Sequence, residues 1–246
     1  MGTAGRVSKQ KRLNVLIAVL VAVIAVLLIT ILNTQRGSTS RQARQAGEAE
    51  PTAAAKTSQP GPLDKLPRRQ PGAPMALGKP DAPVVLVAYE DFRCPFCAKF
   101  ATETAPKLRE RYVDTGKLRI EWRDFPIFGE QSKLAAKAGR AAARQGKFWE
   151  FHDVVFADAP GHGHPTMTMS KLADYAKQAG VTDIAKFKAD MEDPAVAQAI
   201  RKDFVEGSRL GVTSTPTFVI NGRPVVGAQP LPVFVKTIEQ ALAQAK

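Results

Sequence analysis

Pro83-Val84-Val85-Leu86-Val87-Ala88-Tyr89-Glu90-Asp91-Phe92-Arg93-Cys94-Pro95-Phe96-Cys97 is the stretch on which the reading of this 246-residue chain turns. From Pro83 to Tyr89 it is β-branched and almost continuously apolar, the pattern of a strand buried on both faces. It ends in two cysteines three positions apart, the only two in the chain. Beyond them Phe100, Ala101, Ala105 and Leu108 recur at helical spacing, which predicts a helix from the cysteines to about Val113. A strand that runs straight into such a helix sets the Cys-x-x-Cys pair at the helix N-terminus.

That position gives each residue of the motif a role. Side chains at i and i+3 of a first turn stand about 5–6 Å apart at Cβ, close enough to bridge after a small adjustment. Cys94 meets the unpaired N–H groups and positive dipole end of the helix, so its thiolate, the nucleophilic form, is favoured. Pro95 sits where a missing N–H costs nothing and stiffens the turn. Cys97, one turn deeper, is expected to be the less exposed thiol and to resolve a mixed disulfide captured by Cys94. Phe96 brings no positive charge, so the Cys94 pKa should be depressed, though less than with a histidine at that position.

Other uses of the pair fare worse. A structural disulfide closing a four-residue loop restricts little chain entropy. A zinc site needs two further ligands; the only histidines are His152, His162 and His164, and the last two have H-x-H spacing. No metal and no organic cofactor is expected.

Downstream, Leu118 to Arg123 reads as a second strand, closed by Asp124-Phe125-Pro126. From about 130 to 210 the pattern is helical, with glycine breaks at 146, 161, 163 and 180. Thr217–Ile220 and Pro224–Val226 form a hairpin across Asn221-Gly222, and a last amphipathic helix covers about Leu231 to Ala243. The fold class is therefore α/β: a mixed sheet flanked by helices, with one inserted helical subdomain, over residues 79–246. Trp122, Phe148, Trp149, Phe151 and Phe156 read as core aromatics in preference to a substrate groove. His162 and His164 belong to an exposed loop.

Upstream, residues 13–32 are apolar except for Asn14 and Thr30. Twenty helical residues span about 30 Å, the thickness of a bilayer's hydrocarbon layer. The basic residues Arg6, Lys9, Lys11 and Arg12, within residues 1–12, should stay in the cytoplasm and send the rest outward. A single-pass signal anchor in the lipid bilayer is expected in preference to a cleaved signal peptide, whose apolar region is shorter. Residues 33–78 lack apolar periodicity and read as a flexible extracytoplasmic linker. The first 78 residues carry a net charge of +8 of the total +12, leaving +4 on the rest. No basic stripe interleaved with aromatics remains, which argues against nucleic-acid binding.

Three segments then line up with one family. Asp91-Phe92-Arg93-Cys94-Pro95-Phe96-Cys97, Gly146-Lys147-Phe148-Trp149-Glu150-Phe151-His152-Asp153 and Gly211-Val212-Thr213-Ser214-Thr215-Pro216-Thr217-Phe218 resemble the DsbA-type, thioredoxin-fold oxidoreductases of bacteria, most closely the membrane-anchored Gram-positive type. The resemblance runs from about residue 79 to 245. It implies a thioredoxin fold, and a cis peptide between Thr215 and Pro216 in the loop facing the cysteines. It also implies the activity of an oxidase that passes the Cys94–Cys97 disulfide to reduced, unfolded exported proteins. A membrane partner of the DsbB or vitamin-K-epoxide-reductase (VKOR) type would re-oxidise it. A reductase or isomerase of the same fold, or a tethered client-binding module, is the alternative. One position departs from the family: Ala88 stands six residues before Cys94, where relatives carry a buried carboxylate. Glu90 and Asp91 are nearby, and strand alternation leaves open whether either points inward.

Overall fold

The structure, a computed structural model, describes residues 61–245. The basic N-terminus, the anchor at 13–32 and the linker up to residue 60 lie outside the described residues. Among those described, no helix is long and apolar enough to cross a membrane.

Five strands make one sheet in the order β1-β3-β2-β4-β5. They are β1 (Ala76–Leu77), β2 (Val84–Glu90), β3 (Leu118–Asp124), β4 (Thr217–Ile220) and β5 (Arg223–Val226). β2 and β3 are parallel, in register from Val84 opposite Leu118 to Glu90 opposite Asp124. β1, β4 and β5 join antiparallel. β2 lies at the centre, and all seven of its residues are buried. Its two faces serve different layers. Val84, Leu86 and Ala88 pack with Phe100, Leu108, Phe218, Phe234 and Ile238, whereas Val85, Val87 and Tyr89 pack with Leu66, Phe125 and Val219. The continuous apolar run of the sequence is thus a strand buried on both faces, with helices on one side and, on the other, the segment around Leu66 and the helix that carries Phe204 and Gly207.

The parallel β2–β3 step is bridged by one helical stretch in four segments: α1 (Pro95–Lys99), a π-turn (Phe100–Thr104), α2 (Ala105–Leu108) and a second π-turn (Arg109–Val113). The first widening precedes Pro106, which has no N–H to donate and whose ring would collide with the carbonyl four residues back. Inserting one residue into the turn relieves both problems.

Between β3 and β4 lie α3 (Glu130–Arg144), α4 (Phe148–Ala157), α5 (Met169–Gln178), α6 (Ile184–Glu192) and α7 (Pro194–Arg209); α8 (Leu231–Gln244) closes the chain. Side-chain caps set three of the starts: Thr168 accepts from the Lys171 amide, Asp183 from Lys186 and Asp193 from Ala195. Ala135, Ala138, Ala141 and Ala142 of α3 pack against Phe148, Phe151, Phe156 and Phe187 in one buried cluster. Trp122, Phe148, Phe151 and Phe156 are all core, and Trp149 is half-buried against the same cluster.

The hairpin is pinned to the sheet centre. Asn221 (φ 41°) and Gly222 (φ 79°) take the left-handed conformations a tight turn requires. The Asn221 side chain also accepts from the Val85 amide at 2.8 Å and donates to the Pro83 carbonyl at 3.0 Å.

One boundary needs correcting. The part of the expected linker from 61 to 78 is folded against the domain, not free. Leu66 is buried and β1 pairs with β3. The reason lies in β3, where Arg119, Glu121 and Arg123 alternate with Leu118, Ile120 and Trp122, yet every residue of the strand is buried. The charged face is covered by this segment. Glu121 accepts the backbone amides of Arg68 and Arg69 at 2.9 and 2.8 Å and pairs with Arg119 and Arg123, each at 2.9 Å. Arg119 and Arg123 also donate to the carbonyls of Gln70 and Leu66.

Candidate active site

The tip of β2 carries the motif out of the sheet. Asp91 is buried and spends its carboxylate on backbone amides, those of Arg93 and Ile127 at 2.8 Å and that of Phe128 at 3.3 Å. Its carbonyl accepts the Cys94 amide at 3.0 Å, which turns the chain into α1 with Cys94 as N-cap and Pro95 in the first turn. Phe92, between them, stacks on Trp122 with ring centroids 4.9 Å apart. Thus the cysteines stand at the head of a helix, anchored from below by a buried ring and a carboxylate.

Both thiols are reduced, and both are buried, Cys94 at 1% and Cys97 at 0% exposure. Exposure does not separate them; electrostatics does. The Cys94 pKa is lowered to about 6, first by hydrogen bonding from the Cys97 thiol. Burial opposes this, while the Thr215 side chain and the helix-terminal amides of Cys97 and Phe96 assist. The helix terminus therefore contributes, as the motif implies, but the partner thiol contributes more. Cys97 is raised well above its usual value, by burial first and then by Cys94 and Glu90. One sulfur is an anion near neutral pH and the other holds its proton. That asymmetry is what thiol–disulfide exchange through a nucleophile and a resolving thiol needs.

The remaining site residues fall into place around Cys94. β4 begins opposite the end of β2, Thr217 facing Tyr89, so the residues just before it arrive beside the motif. The Thr215-Pro216 peptide is cis, and the Thr215 carbonyl oxygen lies 3.2 Å from the Cys94 sulfur. Thr215 and Pro216 are buried, whereas Phe96 is 61% exposed and stands beside the pair as an apolar contact surface. Of the two loop histidines, His162 is exposed and His164 contacts the motif: its Nδ1 lies 2.9 Å from the Arg93 carbonyl and its ring 4.0 Å from that of Phe128.

The sequence reading named Glu90 without assigning it to the site. Glu90 is 3% exposed, at the end of the β2 face that holds Ala88, and burial followed by the nearby Cys94 raises its pKa to about 8. Strand alternation was the available signal, since residues 88 and 90 share a face. Among the described residues no cluster of side chains is arranged to hold a metal ion.

Known proteins are similar to this chain in sequence and fold. A family model described as Thioredoxin matches residues 70–240. The probable disulfide bond formation protein D of Bacillus anthracis is 33% identical over 150 residues, 60% of this chain and 69% of that protein. Disulfide bond formation protein D of Bacillus subtilis is 27% identical over 168 residues, 68% of this chain and 76% of that one. Among solved structures, oxidised BdbD from Bacillus subtilis superposes with a TM-score of 0.65 at 28% identity, covering 70% of this chain and 94% of that one.

Proposed function

The chain belongs to the thioredoxin family, as a DsbA-type thiol–disulfide oxidoreductase, and on that premise we propose that it works as an oxidase. It donates the Cys94–Cys97 disulfide to reduced, unfolded proteins outside the cytoplasm.

The observation that carries this direction is the split between the two thiols. A stabilised Cys94 thiolate favours the reduced enzyme, and whatever favours the reduced form makes its disulfide a stronger oxidant. In the forward cycle a substrate thiolate attacks the Cys94 sulfur and Cys97 leaves. A second substrate thiolate then displaces Cys94, whose anion is a good leaving group. The substrate ends with a disulfide and the enzyme with two thiols.

The extracytoplasmic setting rests on residues 13–32 acting as a single-pass bilayer anchor, with the N-terminus inside. Re-oxidation falls to a membrane partner of the DsbB or VKOR type, which draws two electrons from the reduced pair. Cys94 and Cys97 are the catalytic residues; Pro95, Phe96, Thr215 and Pro216 support them.

Equilibration with glutathione tests the direction. A potential near roughly −120 mV supports an oxidase, and one near roughly −270 mV makes the protein a reductase.

A further inference from the structure

The residue joined to Cys94, Arg93, carries a positive charge that no step of the exchange uses. Resting on the oxidoreductase reading, we propose that Arg93 is a specificity-determining residue: its guanidinium, held beside Cys94, receives a carboxylate one or two positions from the reactive cysteine of the substrate.

The backbone places it. Consecutive Cα atoms are about 3.8 Å apart, so Arg93 stands next to the nucleophile by covalent necessity. Asp91 Oδ1 accepts the Arg93 amide at 2.8 Å, and the Arg93 carbonyl accepts from Nδ1 of His164 at 2.9 Å. His164 belongs to the loop between α4 and α5, and its ring centroid lies 4.0 Å from that of Phe128. Fixed bond lengths keep the Arg93 oxygen within about 6 Å of the Cys94 sulfur, so the His164 nitrogen lies within about 9 Å of it. The loop is therefore docked against the motif.

The same two segments lock the side chain. Arg93 Nε donates to the Pro165 carbonyl at 2.8 Å and Nη1 to the Phe128 carbonyl at 2.5 Å. Carbonyls orient a guanidinium without cancelling its charge. Among the described residues no carboxylate is paired with it: Asp91, the nearest acid in sequence, is buried and turned toward three backbone amides.

Spare donors remain. A guanidinium has five N–H donors, and two are spent on the carbonyls. Nη2 has no partner in the protein, yet it is not one of the buried polar atoms that lack one, so it reaches solvent. An immobilised fork with open donors at the rim of an active site suits a planar carboxylate, and little entropy is lost in holding it.

The reach matches. In the mixed disulfide the substrate sulfur is about 2 Å from that of Cys94. An extended chain rises about 3.3 Å per residue, so an acidic residue one or two positions away lies about 3–7 Å along it. Arg93, one residue from Cys94, covers that interval. Thr215 and the exposed Phe96 offer the substrate backbone and apolar contact but no charge.

The test uses the full-length chain in detergent, with the Cys94–Cys97 disulfide formed. Three reduced peptides differ only in Glu, Gln or Lys two positions from their single cysteine. Reduction of the chain by each at pH 7 is followed by acid quench and mass spectrometry. Each rate is divided by that with the uncharged disulfide of mercaptoethanol, which removes the peptide's own reactivity. The Glu peptide should react about 3- to 10-fold faster than the Gln peptide, and the Lys peptide slower. Arg93→Gln should bring the three rates together and Arg93→Lys should keep part of the order. Lys99→Gln, which removes another exposed charge of α1, should leave the order unchanged. Equal normalised rates in the wild type overturn the proposal while leaving the oxidoreductase reading intact. So does an order that survives Arg93→Gln or vanishes in Lys99→Gln. Should Arg93→Gln fail to fold, the wild type decides. With Glu moved six positions from the cysteine, about 20 Å along an extended chain, the preference must vanish, and its persistence overturns the proposal. Exchange with none of the peptides removes the oxidoreductase reading itself, and the proposal with it.

Discussion

The carbonyl oxygen of Thr215 lies 3.2 Å from the sulfur of Cys94, across 121 positions of sequence. Backbone and side chain of Thr215 act on the sulfur in different ways. The carbonyl accepts from the thiol, whereas the hydroxyl is buried without a partner and is free to turn toward the sulfur once that ionises. Thr215→Val keeps the shape and removes the hydroxyl. A hydrogen bond to a charged group is worth about 1.5–3 kcal/mol, so the Cys94 pKa should rise by about one to two units. Thiolate absorbance against pH measures this, and a value still at about 6 would show that the hydroxyl plays no part.

Phe96 is the one residue of the motif that faces solvent, at 61% exposure. Its ring adds contact area but no field. Phe96→His places an imidazolium near the sulfur and should lower the Cys94 pKa below about 6 while leaving the fold unchanged, because nothing packs tightly on the side chain. The disulfide should become more oxidising in parallel. The same titration, read with the glutathione equilibrium, checks both; movement of one without the other would separate charge from redox poise.

The catalytic pair and the central strand were readable because each is written locally. A continuous apolar run, a Cys-x-x-Cys and an Asn-Gly turn specify β2, α1 and the β4–β5 hairpin within a few residues. Other polar contacts are assembled from far apart. Arg109 meets Asp153 across 44 positions, and Glu121 meets the Arg68 and Arg69 amides across 53 and 52. Nothing in Arg119-Ile120-Glu121-Trp122-Arg123 says that its charged face is covered, since alternation is also the mark of a strand with one wet face. The segment from 61 to 78 was assigned to the linker for the same reason: its polar composition hides the backbone amides with which it binds Glu121.

That contact has a pH signature. Burial acts to raise the pKa of Glu121, but the Arg68 and Arg69 amides and the Arg119 and Arg123 side chains outweigh it and hold the group at about 2. Because the folded value lies below the ordinary 4.5, the stabilisation is fully present above about pH 4.5 and is lost as pH falls toward 2. It is on the order of 3 kcal/mol. Urea unfolding of wild type and Glu121→Gln should give curves far apart at pH 7 that draw together below about pH 4.5 and nearly meet at about pH 2. A constant gap over that range would place the stabilisation elsewhere.

Gly139 couples the inserted helices to the cysteines. A Cβ built there would stand 2.7 Å from Cε2 and 3.1 Å from Cζ of Phe92, and 3.3 Å from Cε2 of Phe148. Phe92 cannot yield easily, since it stacks on Trp122 and lies 5.4 Å from the Phe156 ring. Gly139→Ala would ordinarily favour a helix interior by up to about 1 kcal/mol. Here overpacking should win, with a net loss of about 1–3 kcal/mol. Because Phe92 is two residues from Cys94, the displaced ring should also disturb the motif and raise the Cys94 pKa. Phe92→Leu in the same chain makes room for the methyl group, so the double variant should recover part of the stability lost by Gly139→Ala alone. Thermal melts of the three variants decide it: additive losses would mean that residues 139 and 92 do not press on one another.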